Sequence, residues 1–357
     1  MIDPHVHLRD WEQSQKETLV HGFRVAWRAG LSAVFEMPNT NPAMTTRETV
    51  QRRIADADRA LESLDSAEGG GLFHGIYGGI TADPDQVRHI AAARDELFPR
   101  MVGLKLFAGH STGRMGVITV AEQWLVWKTL ARGGYRGVVV VHAEREDLLE
   151  PERFSRDQPE TWSDARPGIA EIASVQTQIA LAEAAGFRGT LHIAHVTLPE
   201  TARIIASEGR GLPFRLTGAA TPHHLMLTRE DRQIVNPPLR SEKARSELVQ
   251  SLVRGDLAWL ESDHAPHTAR DKAGGAAGLP GIPGFRRVAE ELLRGLVSPE
   301  RFEAITGGMV REVFDLPRDV LRPNPLAREG CFGEDEYREL AREYPLDPYD
   351  RPWRRGA

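Results

Sequence analysis

Short apolar runs, bounded by polar or turn residues, recur along this chain and are separated by longer stretches with helical spacing. The runs predict strands over Ile2–Val6, Ser32–Met37, Leu72–Ile80, Val102–Phe107, Val138–His142, Thr190–His195, Phe214–Gly218 and Ala258–Glu261. Helices are predicted between and after them over 16–29, 46–63, 84–97, 119–132, 168–185, 199–208, 242–253 and 285–295. In the fifth, Ile169, Ile172, Gln176 and Ile179 are spaced for one helical face, and Gly186 supplies a stop. Strictly alternating strands and helices predict a closed (β/α)8 barrel, with an open doubly wound sheet as the alternative. No internal repeat stands out beyond that alternation.

Three segments do not read as barrel parts. Residues 108–118 form a Gly-rich loop after the fourth strand, and 273–284 form a Gly/Pro/Ala-rich one after the eighth. From about 323 the chain carries Pro323, Pro325, Pro345, Pro348 and Pro352, which rule out long helices. The expected organisation is a catalytic barrel over 1–322 and a Pro-rich extension over 323–357, strapped across the barrel or a neighbouring subunit.

A length of 357 residues suits one α/β barrel, and 41% hydrophobic residues is enough for a large core. The net charge of −6 and the absence of a basic, aromatic-interleaved stretch exclude a nucleic-acid surface. Cys331, the one cysteine, excludes an intrachain disulfide and fits a reducing compartment. Met1 leads straight into the first strand with no apolar leader, and nothing approaches a membrane span. These features give the expectation of a soluble, cytoplasmic protein.

The chemistry gathers at predicted strand ends. His5 and His7 are two residues apart, so on a strand they share a side and can hold one divalent cation. Taken alone, such a pair also occurs at solvent-facing strand ends. Arg9 continues the same face and offers a two-pronged donor to an anionic group. Lys105 ends the fourth strand. It is either a snorkelling lysine or a desolvated amine that adds CO2 and becomes a metal-bridging carbamate. His142 ends the fifth strand. On the sixth, His192 and His195 face opposite sides; His195 lies at the end and is the candidate ligand, while His192 reads as buried structure. Asp263, after the eighth strand, suits both metal binding and proton transfer. His267 follows in a loop able to reach substrate. His223 and His224 read as satisfied histidines outside the ligand set.

In order, HVHLR, MPNT, GLKLF, VVHAE, HIAHVT, NPPLR and SDHAPHT resemble the dihydroorotase family of the amidohydrolase superfamily, over residues 1 to about 320. The resemblance implies a binuclear zinc centre, although the donor set would also suit cobalt or manganese. His5, His7 and Asp263 would hold one metal and His142 and His195 the other, with carboxylated Lys105 bridging both. Arg9 and Asn39 would hold the substrate carboxylate, His267 would add a third contact, and Ser111 and Thr112 would sit on a mobile active-site loop. The implied reaction is reversible cyclisation of N-carbamoyl-L-aspartate to L-dihydroorotate, with Asp263 as proton carrier. A hydantoinase, dihydropyrimidinase or allantoinase would share the metal residues but have no use for the Arg9–Asn39 pair. A non-catalytic scaffold subunit beside aspartate transcarbamoylase should have lost ligands, whereas all six positions are filled. The chain departs from many relatives in lacking strands of a small β-sandwich before the H-x-H motif. That subdomain is expected to be absent or vestigial. A homodimer is expected, with room for association with aspartate transcarbamoylase.

Overall fold

In the computed structural model, which describes residues 1–110 and 115–350, the apolar runs form β1 (Ile2–Val6), β2 (Ala33–Glu36), β3 (Phe73–Gly79), β4 (Met101–Phe107), β5 (Val138–His142), β6 (Thr190–Ile193), β7 (Arg215–Ala220) and β8 (Trp259–Leu260). They pair in parallel, in sequence order, as one eight-stranded sheet. The sheet closes beyond the last residues of β8, where Val6 bridges His264 and His7 N–H donates to His264 O at 2.7 Å. This is the (β/α)8 barrel; the open-sheet alternative falls. No second sheet exists among the described residues.

Each predicted helix forms within a few residues of its predicted bounds. Thr46 and Thr119 close capping boxes at Arg47–Glu62 and Val120–Arg132. Gly186, at φ 76°, ends Gly168–Ala185 in the left-handed region that favours glycine. That helix, however, buries a different face from the predicted one. Ala170, Glu171, Ser174, Val175, Gln178, Ile179 and Ala182 are inside, while Ile169 is 55% exposed. Of the polar members of the buried face, Glu171 and Gln178 are hydrogen-bonded there, while Ser174 Oγ has no partner. Glu171 accepts from Thr197 N–H at 3.2 Å, and Gln178 bonds Trp127 and Gln123 at 2.8 and 2.7 Å.

Two apolar layers hold the barrel. One lies between strands and helices. The other fills the barrel interior with Phe35, Tyr77, Val102, Val140 and Trp259, and Phe314 stands edge-on to Phe35 at 5.2 Å to plug the N-terminal mouth. The opposite mouth is left for chemistry. Beyond 323 the described residues form a 3-10 turn, Pro325–Ala327, and a short α-helix, Glu334–Ala341, whose Tyr337 and Ala341 pack with Leu227, Val235 and Leu279 of the loops after β7 and β8. Tyr344 Oη donates to Glu17 Oε1 at 2.8 Å, and Asn324 Nδ2 donates to Trp27 O and Leu31 O at 2.8 and 2.9 Å. No helix among the described residues is long and apolar enough to cross a membrane.

Candidate active site

β1 delivers His5 into the barrel mouth, and His7 follows one step past its end. Asp263 arrives from the other side of the closure. Nε2 of His5 and Nε2 of His7 lie 3.4 and 3.1 Å from Asp263 Oδ1. One donor atom from each of the three residues falls within 4.8 Å of the others, the geometry of a single-cation cradle. The outer nitrogens are already engaged: His5 Nδ1 is 3.1 Å from Glu261 Oε1, and His7 Nδ1 is 2.7 Å from Asn39 Oδ1. Such outer bonds fix which nitrogen faces a metal. Burial lowers the His7 pKa to about 4, so its ring is neutral, as a ligand must be.

A second pair stands beside the first. His142 Nδ1 and His195 Nε2 approach to 3.1 Å, and burial, the largest cause, lowers both pKa values. Behind His142, Nε2 is 3.0 Å from Glu144 Oε2; Arg166 Nε donates to Glu144 Oε1 and Oε2 at 3.1 and 3.2 Å, and its Nη2 donates to Oε2 at 2.5 Å. Lys105 lies at the centre, fully buried, its Nζ without a hydrogen-bond partner. Burial lowers its pKa to about 8, against the opposing pull of Glu261 and Asp263. The snorkelling alternative fails, because this ammonium would reach no solvent. An orphaned buried Nζ and an orphaned His195 Nδ1 beside a three-donor cradle fit residues that await cations.

His5, His7, Asn39, Lys105, His142, His195, Asp263 and Arg9 all line one cavity. Arg9 does not get there by strand alternation, since β1 ends at Val6. Arg9, His195 and Asp263 take φ values of 52°, 40° and 46°, left-handed backbone that side chains with a Cβ rarely adopt. The strain re-aims all three side chains. Arg9 Nε donates to Pro266 O at 3.2 Å, and its Nη2 is 3.2 Å from His267 Nε2. His267 is buried against Arg9 and lies 3.0 Å from Ala277 O, beside the cavity and not among its lining residues. Ser111 and Thr112 lie outside the described residues.

His192 is structural: its nitrogens meet Thr217 Oγ1 at 2.9 Å and Glu261 Oε2 at 3.2 Å, and its ring stacks on Trp259. His224 is likewise satisfied, by Thr221 and Pro237 O. His223 corrects the expectation. On the helix Pro222–Met226 it is buried with neither nitrogen hydrogen-bonded, and burial, the largest cause, lowers its pKa to about 4 against the pull of Asp263. Sequence reasoning missed Glu261, which holds His5, His192 and the backbone N–H of His195 (2.8 Å) at once. Its signal was a carboxylate two residues before Asp263 at a buried strand end.

Fold and site together place the molecule among the amidohydrolases, hydrolytic enzymes built on a (β/α)8 barrel. Curated relatives narrow this. A dihydroorotase of Halobacterium salinarum is 34% identical over 332 residues, 89% of this chain and 72% of the relative. Dihydroorotases of Thermococcus kodakarensis and Brevibacillus brevis are 35% and 33% identical, over 79% and 83% of this chain and 59% and 67% of their own lengths. The chain belongs to the dihydroorotase family, and it is a cyclic amide hydrolase. An L-hydantoinase of Arthrobacter aurescens (TM-score 0.75, 22% identity, 88% of this chain and 70% of that one) shares the fold. So does a dihydroorotase of Campylobacter jejuni (TM-score 0.65, 17% identity, 88% and 83%). No family model matches the chain.

Proposed function

We propose that this protein interconverts L-dihydroorotate and N-carbamoyl-L-aspartate with two divalent cations, zinc by donor preference. His5, His7 and Asp263 would hold one, His142 and His195 the other, and Lys105, as a carbamate, both. One observation carries the reading: Arg9 and Asn39, a carboxylate-reading pair, line the same cavity as all six candidate ligands. Cations bound there would acidify a water and polarise the ring carbonyl. The protein's own groups do the rest. Asp263 takes the proton of the attacking water and delivers it to the ring nitrogen as the C–N bond breaks; closure runs the same transfer backwards. Arg9, turned inward by its left-handed backbone, anchors the ring carboxylate. Asn39, whose Oδ1 faces His7 Nδ1, and His267, beside Arg9, would complete the grip.

The test is a side-by-side assay with dihydroorotate, dihydrouracil, hydantoin and allantoin. Dihydroorotate should turn over fastest; preference for any other ring sinks the assignment. Within that assay, Arg9→Met should keep the parent's metal content while losing about tenfold or more in kcat/KM, the worth of one charge-assisted contact. Metal loss would show Arg9 to be misassigned. For the assembly we propose a homodimer, with association with aspartate transcarbamoylase as an additional state. Exposed Val120 and Leu125 of Val120–Arg132 and Ile169 of the adjoining Gly168–Ala185 support it, and sedimentation alone and in mixture would refute it by showing monomer only.

A further inference from the structure

Lys272 sits on the short helix Ala269–Ala273, away from the side chains that face the cavity. Its ammonium is nonetheless aimed at the backbone of two loops that form the cavity wall. Nζ donates to Ile234 O at 3.4 Å, Ala276 O at 2.8 Å and Gly278 O at 3.0 Å. The first carbonyl belongs to the loop that leads into Asn236; the other two flank Ala277. Asn236, Ala277 and Gly278 all line the cavity. The loops also meet directly, Gly278 N–H donating to Ile234 O at 3.0 Å. An ammonium carries three donors and no acceptor, and here all three are spent on carbonyls of these two loops. Burial alone lowers the Lys272 pKa, to about 8, so carbonyl dipoles and not a carboxylate hold the charge. The wall has little slack: Gly278 is at φ 135°, and a Cβ there would stand 2.8 Å from Ala265 O.

We propose that Lys272 is a positioning residue, its ammonium stapling the 234–236 and 276–278 loops together and so fixing the wall against which the substrate ring is held. The proposal rests on the reaction read above. It makes Lys272 matter for how tightly substrate is held, with metal retention and the proton transfer untouched.

The test compares zinc-loaded parent and Lys272→Met at equal metal content. KM for dihydroorotate should rise about tenfold or more while kcat falls less than about threefold. A role confined to stability would reduce the amount of active enzyme, hence apparent kcat, with KM unchanged; that result overturns the proposal. Should Lys272→Met fail to fold, Lys272→Gln is read by the same KM criterion. A rescue separates the ammonium from mere bulk. Lys272→Cys in a Cys331→Ser background, aminoethylated to completion, regains an ammonium at the length of lysine, and its KM should return to within about threefold of the parent. Carbamidomethylation of the same variant should not restore it, and equal KM in the two adducts would also overturn the proposal. If the parent itself did not turn over dihydroorotate, the reaction assignment would fall. The staple would then be read by hydrogen exchange at 234–236 and 276–278, faster in Lys272→Met if it exists and unchanged if it does not.

Discussion

Lys105→Ala should lose at least ~10³-fold in activity and most of the bound metal, beyond the 10–100-fold typical of altering an outer partner of a ligand. The expectation follows from where the side chain stands. Lys105 Nζ is buried without a hydrogen-bond partner, in the cavity lined by His5, His142, His195 and Asp263. An unpaired ammonium there would cost several kcal/mol, and it would repel cations held by the surrounding imidazoles. A neutral amine avoids that cost, and burial already moves the group toward it. The amine can then bond to CO2 carbon, releasing one proton and leaving a carbamate with two oxygens. Parent protein grown with 13C-bicarbonate should show one carbamate carbon signal per chain, absent in Lys105→Ala. Short carboxylic acids should restore part of the activity by supplying the missing oxygens. Full activity in Lys105→Ala without additives, or no carbamate signal in the metal-loaded parent, would refute the bridging role.

The strands were legible because a parallel barrel strand is buried on both sides, so its sequence is an uninterrupted apolar run such as Val138–Val141. The candidate ligands stood out because they lie at the ends of those runs. Helix faces were less so. Gly168–Ala185 buries Glu171 and Gln178 and exposes Ile169, and nothing local reveals that Thr197 and Trp127 will supply the partners. The aim of Arg9, His195 and Asp263 was also hidden, because period-two reasoning ends where the backbone turns left-handed. Least legible were the buried acids that hold the site from behind. Glu261, Glu144, Glu17 and Glu36 each serve partners far away in sequence, visible only once the strands are side by side. A carboxylate inside an apolar strand, as in Ala33-Val34-Phe35-Glu36, marks such a role without naming the partner.

Glu36 is also where the largest loss of stability is expected. Its carboxylate is fully buried between Arg53, with bonds of 2.9 and 2.5 Å, and His74 Nε2 at 3.0 Å. Burial by itself would raise its pKa; Arg53 and then His74 outweigh that and hold it at about 2. Glu36→Gln leaves the Arg53 guanidinium buried without its counter-charge, which should cost about 3–5 kcal/mol in unfolding free energy. The pH dependence has a definite sign. A carboxylate depressed on folding adds stability that is fully present above its unfolded pKa of 4.5 and lost as pH falls toward about 2. Parent protein should therefore show a stability loss between those values that Glu36→Gln lacks, measurable by denaturant melts across the range. Removing both partners, in Glu36→Leu/Arg53→Met, should destabilise less than Glu36→Gln, since no charge is left stranded. Arg53 has a second task, however: its Nη2 donates to Arg9 O at 3.0 Å, bracing the strained turn from which Arg9 enters the cavity. The double variant should thus be more stable than Glu36→Gln and yet show a KM raised above the parent's. A double variant as unstable as Glu36→Gln would show that packing, and not the buried charge, sets the cost. A double variant with the parent's KM would show that Arg9 needs no brace.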